Sequence, residues 1–153
     1  LSTTGSSANV TIDGGTTALI LAASSVGGNL TLRDGNASGI TDTGTITVGG
    51  NLSATTDAGS GVITLDTLAV TGTIALATNS GGAATVVNAS GLNLATSTLT
   101  GTFSGTATTG DIADAGTLTI TGAATFITRV DGSNIILDSS GSTSIASWRA
   151  SLK

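Results

Sequence analysis

The sequence contains no Cys, His, Tyr, Pro or Met, and its nine acidic residues are all Asp, so Glu is absent as well. Without Cys there is neither a disulfide framework nor a thiolate metal site. Acid–base or nucleophilic catalysis would depend on Asp and Ser, with Lys153 at the terminus as the base. These absences predict that the chain is no enzyme, with no catalytic, cofactor-binding or metal-binding residue and no identified ligand-binding residue.

Positive charge is also scarce. The basic residues number four, against a net charge of −5, and they are scattered at Arg33, Arg129, Arg149 and Lys153. Nucleic-acid binders need clustered Lys and Arg, and anionic lipid repels an acidic surface. The longest apolar run, residues 18–23, is far below the length of a membrane span. We therefore predict neither a nucleic-acid partner nor membrane insertion.

What is abundant is Thr, Gly and Ser, with 31, 23 and 19 residues respectively. Such a composition is typical of linkers, but disorder also requires low hydrophobicity and high charge. Here charged residues make up only 8% of the chain, and the mean hydropathy is +0.42. Because Thr, Val and Ile favour strands over helices, the sequence predicts an all-β structure.

A near-repeat organises this composition. Glycines in the same local setting are spaced by 22, 22, 29 and 21 residues, at Gly28, Gly50, Gly72, Gly101 and Gly122. Longer segments also recur: ITDTGTITV at 40–48 resembles IADAGTLTI at 112–120, and GVITLD at 61–66 resembles NIILD at 134–138. Fixed self-similarity of this length predicts stacked coils. We predict a right-handed parallel β-helix (β-solenoid) of about 21–22 residues and three short strands per coil, over residues 1–143.

One coil shows how the strands would be arranged. Residues 29–32, a segment near Ile40, and residues 45–48 are the expected strands, with bends at residues 33–36 and 42–44. Seven extra residues, within 79–88, are expected to bulge out as a loop. About seven coils would form a rod of roughly 30–35 Å, with Phe103 and Phe126 as rare large core residues. An eighteen-residue left-handed hexapeptide helix and a β-sandwich fit the spacing less well.

The last ten residues, SIASWRASLK at 144–153, differ from the rest. Ile145, Trp148 and Leu152 are spaced like the apolar stripe of a helix. We interpret this segment as a C-terminal cap over the last coil or as the start of the next module. The alternative is a Trp that stacks on a sugar.

The coil openings GGNL and TGTI, with ITDTGTITV and LTITGAATF, resemble the repeat region of filamentous haemagglutinin-like adhesins over roughly residues 8–145. These adhesins are the exoproteins of bacterial two-partner secretion. The resemblance implies an extended β-helix, export to the cell surface or medium, and a role in attachment or biofilm matrix. An unidentified host receptor or exopolysaccharide would be the partner, with end-to-end or lateral self-association. It supplies no functional residue, because the matching repeats are scaffold.

The predicted function is thus an adhesive or structural rod segment of a secreted or surface protein. Because residue 1 is Leu, we expect a piece of a longer protein. Alternatives are a self-assembling extracellular filament or phage tail fibre subunit, a polysaccharide-binding or polysaccharide-cleaving module, and an ice-binding solenoid.

Four motifs are candidates for chemistry, and each has a structural interpretation. The tightest acidic pair is Asp111 and Asp114, of which Asp114 matches Asp42 in the other repeat and is predicted to be a corner residue. Asp–Gly pairs begin at Asp13, Asp34 and Asp131, but they lack the tandem spacing of calcium-binding repeats.

The other two motifs are polar arrays. Thr45 and Thr47, with Thr117 and Thr119, resemble the paired hydroxyls of ice-binding solenoids, although Leu68-Ala69-Val70 interrupts the array. Five N-glycosylation sequons begin at Asn9, Asn29, Asn36, Asn51 and Asn88. We interpret Asn29 and Asn51 as corner residues that stack and hydrogen-bond along the coils.

Overall fold

The computed structural model is a parallel β-solenoid of about six turns, with no helix in the part of the chain it describes. It describes residues 1–57, 59–137 and 143–152, except for the side chain of Trp148. The strands are β1 Val10–Asp13, β2 Leu19–Leu21, β3 Ser24–Val26, β4 Leu30–Asp34, β5 Ile40–Asp42, β6 Ile46–Val48, β7 Leu52–Thr56, β8 Ile63–Val70, β9 Ile74–Ala77, β10 Ala84–Asn88, β11 Leu92–Leu94, β12 Ser97–Leu99, β13 Phe103–Ala107, β14 Ile112–Asp114, β15 Leu118–Thr128, β16 Ile135–Ile136 and β17 Ser144–Ser151.

The strands lie on three faces with one strand per turn. Face 1 contains β1, β4, β7, β9, β12, residues 118–120 and residues 144–145. Face 2 contains β2, β5, residues 63–65, β10, β13, residues 124–128 and residues 147–151. Face 3 contains residues 1–3, β3, β6, residues 68–70, β11, β14 and β16. Paired residues are 19 to 25 positions apart, which confirms the predicted coil.

The core is a narrow column filled by the inward residues of each strand. In β4, for example, Leu30 and Leu32 are buried while Arg33 is exposed. Directly above and below them lie the inward residues of β7 and β1. Side chains of a strand point alternately to its two sides, so an apolar–polar alternation places the apolar residues on the inner side. Because the strands pair in register, these apolar residues stack into a continuous buried row from turn to turn. The predicted rows of stacked aliphatic side chains are confirmed.

The two phenylalanines fill the core on face 2. The rings of Phe103 and Phe126 have centroids 5.4 Å apart and are tilted by 60°. Small residues make room for them: Ala84 and Ala124 flank Phe103 in its row, and Gly105 precedes Phe126 in the adjacent row. The predicted role of the two rings as large fillers is confirmed, since both are buried.

The predicted seven-residue loop within 79–88 is wrong. β10 is a strand of face 2, where Ala84 pairs with Ile63 on one side and with Phe103 on the other. Only the short turn before it, which includes Ser80 and Gly81 at positive φ, leaves the sheet. The long interval between glycines therefore does not correspond to an insertion in the stack.

The long interval instead marks the point at which the recurring glycines move from one corner of the coil to another. Gly50 and Gly72 donate their N–H groups to the glycine one turn below, at the corner between faces 3 and 1. Gly101 and Gly122 stack at the corner between faces 1 and 2. Likewise β5 lies on face 2, whereas its sequence counterpart β14 lies on face 3. The sequence repeat spans ten strands, counting β8 as two, and this is three turns plus one face.

Two further local expectations are corrected. The bend expected at residues 33–36 begins only at Gly35, because Arg33 and Asp34 continue β4 and Asp34 points into the core. The helix-like stripe predicted at residues 144–153 is wrong for residues 144–151, which form the strand β17 and pair in parallel with β15. Without β17, the backbone N–H and C=O groups on the upper edge of β15 would have no strand partner. Hydrogen bonding to this edge favours a strand more than the spacing of three apolar side chains favours a helix. The predicted role of this segment as a cap or as the start of the next module stays a prediction.

Candidate functional site

One row of hydroxyl side chains runs along the outside of face 2. Five residues in consecutive turns pair directly with one another, and we call them the hydroxyl row: Thr41, Thr64, Thr85, Ser104 and Thr125. Successive members lie about 4.8 Å apart, the strand-pairing distance. In the described part of the chain none of the five hydroxyl groups makes a hydrogen bond to the protein. They are therefore open to solvent or to a ligand.

Sequence reasoning missed this row because its members are not alike in local sequence. Thr41 lies in ITD, Thr85 in ATV and Ser104 in FSG. The signal that could have found the row was the outward position one residue after each inward apolar residue of face 2. That position is visible only after the change of corner has been recognised, since the row crosses the boundary between the two sequence repeats.

Two shallow grooves lie beside the row. The first, of about 160 Å³, forms where face 3 is interrupted above residues 68–70, and it is lined by Thr45, Asp66, Thr67, Leu68, Val87, Ala89 and Thr108. The second, of about 190 Å³, lies at the upper end of the row and is lined by Ala123, Ala124, Thr125, Ser147 and Arg149. Each combines an apolar floor with hydroxyls and one charged group, and neither is an enclosed cavity.

The acidic pair from the sequence is divided between two environments. Asp111 is exposed, and its Oδ1 accepts the N–H of Asn134 at 2.7 Å. Asp114 is buried in β14, where its Oδ2 accepts the hydroxyl of Thr143 at 3.3 Å. Asp114 is the last residue of β14, directly before the bend at 115–116, so it lies at the predicted corner, with its side chain buried. One carboxylate in water and one in the core do not face a common substrate.

Asp42, the sequence counterpart of Asp114, also lies at a corner, at the end of β5. Its carboxylate accepts the N–H groups of Asp66 and Thr67 at 3.2 and 3.1 Å and the Thr67 hydroxyl at 2.7 Å. These bonds fix the link between the two segments of β8, at the rim of the first groove. The role is structural, since the carboxylate is occupied by the next turn of its own chain.

The Asp–Gly motifs also serve the backbone. The Oδ1 atom of Asp13 accepts the N–H of Gly15 at 2.8 Å within a turn. Asp34 is fully buried, with Oδ2 accepting the N–H of Asn36 at 3.2 Å and Oδ1 unbonded in the described structure. Burial raises the pKa of Asp34, the Asn36 N–H opposes the increase and the charge of Asp13 adds to it. Nowhere among the described residues do three acidic side chains gather as a metal site would require.

The neighbouring Arg33 takes part in an ion pair on the surface. Its guanidinium lies 2.6 Å from the carboxylate of Asp57, and the two side chains are 53% and 51% exposed. The hydrogen bond to Asp57 raises the pKa of Arg33. Solvent screens an exposed pair of this kind, so it adds little to stability.

The asparagine sequons are confirmed as corner residues at two positions. The Oδ1 of Asn29 accepts the N–H of Asn51 at 2.8 Å, and the Oδ1 of Asn51 accepts the N–H of Thr73 at 2.9 Å. Asn9 forms the same bond with Asn29, at 2.7 Å. By contrast Asn88 is buried and uses both ends of its amide within the fold, so a glycan there is incompatible with this structure.

The threonine array expected from residues 45–47 and 117–119 does not form. Thr47 lies on face 3, with Ser25 below it and Ala69 above it. Thr119 lies on face 1 beside Thr98. The two segments are thus on different faces, which is another consequence of the change of corner. The proposed sugar contact of Trp148 lies outside the described side chains.

Comparison with known proteins gives one match. A family model described as repeats of unknown function (DUF5649) matches residues 7–77 and again residues 81–145. The boundary between the two matches falls just before β10. This is within the interval in which the recurring glycines move from one corner of the coil to another. No curated protein and no solved structure matches the chain. No helix of the described residues has the length and apolar character to cross a membrane.

Proposed function

The chain belongs to the family of repeats of unknown function DUF5649, and we propose that it is an adhesive, structural rod segment of an exported bacterial surface or biofilm-matrix protein. The observation that carries the proposal is the hydroxyl row, an unbroken line of five outward, unbonded hydroxyl groups along face 2. Hydroxyls both donate and accept hydrogen bonds, which suits them to a polyhydroxylated partner.

The geometry of the whole molecule supports the same function. The grooves are shallow and flank the row instead of enclosing a reacting centre. A ladder that pairs every turn with the next makes a stiff body whose outer face repeats at a fixed distance. A linear polysaccharide could contact several turns at once, and many weak contacts along one face would add up to useful avidity.

The proposal is tested by coating a surface with the purified chain and measuring retention of bacterial exopolysaccharides, with a glycan array in parallel. The key variant replaces Thr64, Thr85 and Thr125 with Val, which removes three hydroxyls at nearly constant volume. Its matched control replaces Thr31, Thr47 and Thr119, which point outward on the other two faces. We expect the key variant to lose at least tenfold in binding and the control to bind like the original chain.

Two results would count against the proposal. If the original chain retains no polysaccharide, and no cells, at micromolar concentration, the adhesive role fails. If both variants bind equally well, adhesion does not use the hydroxyl row. Release of reducing sugar during the assay would favour the polysaccharide-cleaving alternative.

A further inference from the structure

The first groove runs along the corner between faces 2 and 3, parallel to the hydroxyl row. Its lining residues come from four consecutive turns, with Thr45 in the lowest turn and Thr108 in the highest. Three steps of the strand-pairing distance give it a length of roughly 14 Å. The same four turns contribute the first four members of the hydroxyl row. The groove and the row are therefore adjacent strips that one extended ligand can contact together.

A β-bulge in β8 forms one wall of the groove. Where the chain passes from face 2 to face 3, Asp66 and Thr67 together lie opposite the single residue Val87. Both of these side chains are exposed. The carboxylate of Asp42, one turn below, accepts the backbone N–H groups of both residues and also the Thr67 hydroxyl. A bulge redirects side chains out of the regular alternation, and the bonds from below hold this one in place.

Asp66 presents an unpaired carboxylate to the groove. In the part of the chain that the structure describes, no hydrogen bond or ion pair reaches its carboxylate oxygens. The hydroxyls of Thr45 and Thr108, which also line the groove, are unbonded in the same part of the structure. The second carboxylate, that of Asp42, contacts the same bulge, so the local potential is negative. The groove therefore favours a ligand with a positive charge.

The floor of the groove is apolar. It is formed by Leu68, Val87 and Ala89, of which Leu68 is buried. A pyranose ring has a matching surface, because its C–H groups form apolar faces and its polar substituents project around the edge. Ligand sites commonly combine an apolar surface with a few placed polar groups. A sugar ring on this floor directs its substituents to the hydroxyls and to Asp66.

We propose that the first groove and the hydroxyl row together bind a linear polysaccharide of amino sugars with free amino groups, such as a glucosamine polymer, whose protonated amine pairs with Asp66. This assignment rests on the adhesive function proposed above and specifies its ligand class. The net charge of −5 repels polysaccharides that carry carboxylates or sulfates and attracts cationic ones. A calcium ion fits less well, because it needs six or more oxygens and no three acidic side chains gather among the described residues.

The first experiment compares the affinities of three oligomers of equal length by titration calorimetry. They are β-1,4-linked glucosamine, β-1,4-linked N-acetylglucosamine and lysine, in a buffer that protonates the free amines. The two sugars share a backbone and differ in the charge on nitrogen, whereas oligolysine has the charge without the sugar. We expect the glucosamine oligomer to bind about tenfold more tightly than either of the others, and salt to weaken it. Equal binding of the two sugars, or tighter binding of oligolysine, would overturn the proposal.

The second experiment removes the charge from the groove. Asp66→Asn keeps the backbone N–H that Asp42 binds, so it should unfold at the same temperature as the original chain. It should bind the glucosamine oligomer about tenfold more weakly and the acetylated oligomer unchanged. The matched control, Asp131→Asn, removes the same charge at an exposed turn outside the groove and should bind like the original chain. Equal losses in the two variants would show that binding follows net charge and does not use Asp66.

A further pair of variants leaves Asp66 in place. Ala89→Lys introduces an ammonium group at an exposed position that lines the groove, where it competes with the amine of the ligand. It should weaken binding of the glucosamine oligomer several-fold. Ala115→Lys adds the same charge at an exposed bend outside the groove and should bind nearly as well as the original chain. Full binding by Ala89→Lys would contradict the proposal even if Asp66→Asn did not fold.

Two outcomes distinguish a wrong ligand class from a wrong function. If the Thr-to-Val variant of the hydroxyl row loses polysaccharide while the original chain binds both sugar oligomers equally, the adhesive function stands and the amino-sugar assignment is wrong. If the original chain retains no polysaccharide of any charge, the adhesive function itself is wrong and the assignment fails with it.

Discussion

The side chain of Asn88 takes the place of a strand beside Val70. Its Oδ1 accepts the Val70 N–H at 2.8 Å, and its Nδ2 donates to the Val70 carbonyl at 3.0 Å. Nδ2 also donates to the carbonyl of Gly91 at 2.8 Å. The Asn88 side chain replaces a strand at the point where face 3 is interrupted. There β11 does not continue above residues 68–70, because it pairs with Ile74 of face 1. An amide carries the same donor and acceptor as a backbone peptide, which lets it complete the ladder at the repeat boundary.

Replacement of Asn88 with Ala should destabilise the chain strongly. Two backbone groups of Val70 would lose a buried partner, at a cost of about 1–3 kcal/mol each, so we expect about 2–4 kcal/mol in urea unfolding. The matched control is Asn93→Ala, which removes an exposed amide on β11 and should change stability by less than about 0.5 kcal/mol. Equal effects at the two positions would show that Asn88 has no special role at the boundary.

Gly105 should not tolerate a side chain, although its backbone is an ordinary strand. A Cβ there would lie 2.7 Å from Cζ of Phe103 and 2.8 Å from Cδ2 of Leu92. Overpacking costs about 1–3 kcal/mol, against about 0.4–1 kcal/mol gained from a less flexible unfolded chain. We expect Gly105→Ala to destabilise by about 1–2 kcal/mol net.

Two comparisons separate crowding from other causes. At Gly59 the nearest atom to an added Cβ is 3.9 Å away, so Gly59→Ala should be neutral or stabilising. In a Phe103→Leu background the cost of Gly105→Ala should shrink, because the ring that it contacts is gone. An unchanged cost in that double-mutant cycle would mean that the ring is not the obstacle.

Asp34 should make stability fall as pH rises. Burial raises its pKa above the unfolded value, so the protonated carboxyl is favoured in the fold. Its contribution to stability is complete below the unfolded pKa and is lost as pH rises through the folded pKa. Asp34→Asn should therefore be more stable than the original chain at pH 7 and equal to it near pH 3.

The check is thermal unfolding of both chains from pH 3 to 8. Asp131→Asn removes the same charge at an exposed turn and serves as the matched control. A variant at position 34 that loses stability at neutral pH would show that the ionised carboxylate is well accommodated.

The asparagine ladder should depend on an acceptor and not on the whole amide. Only Oδ1 of Asn29 bonds to the next turn, at the N–H of Asn51. Asn29→Ala should cost about 0.5–1.5 kcal/mol in urea unfolding, whereas Asn29→Asp should retain most of the stability because a carboxylate also accepts. If Asp and Ala are equally destabilising, the ladder uses the amide donor as well.

Much of the fold could be predicted because the coil is a local pattern. The alternation in Leu30-Thr31-Leu32, and the stacked corner asparagines, follow from the spacing of residues within one turn. Residue type alone does not fix a residue's position in the coil. The bend predicted at residues 33–36 includes Asp34, yet Asp34 continues β4 and points inward. The placement of such a residue depends on which side of its strand faces the core. The inward residues of the same strand, here Leu30 and Leu32, determine that side.

The candidate site was the least predictable part. A hydroxyl row needs outward residues of the same face in consecutive turns, and turns of 19 to 25 residues must be aligned to find them. The segments around Thr47 and Thr119 looked equivalent in sequence but lie on different faces. When a sequence repeat is not a whole number of turns, residues that are equivalent in sequence lie on different faces and are not neighbours in space.

The sequence by itself determined that this chain is a β-solenoid, since its period and its β-branched residues are local facts. The tertiary structure alone decided which hydroxyls form one row and which amide closes the broken face. The physical reason is that hydrogen bonds between turns join residues about twenty positions apart, and the sequence repeat spans three turns plus one face, so residues that are equivalent in sequence lie on different faces.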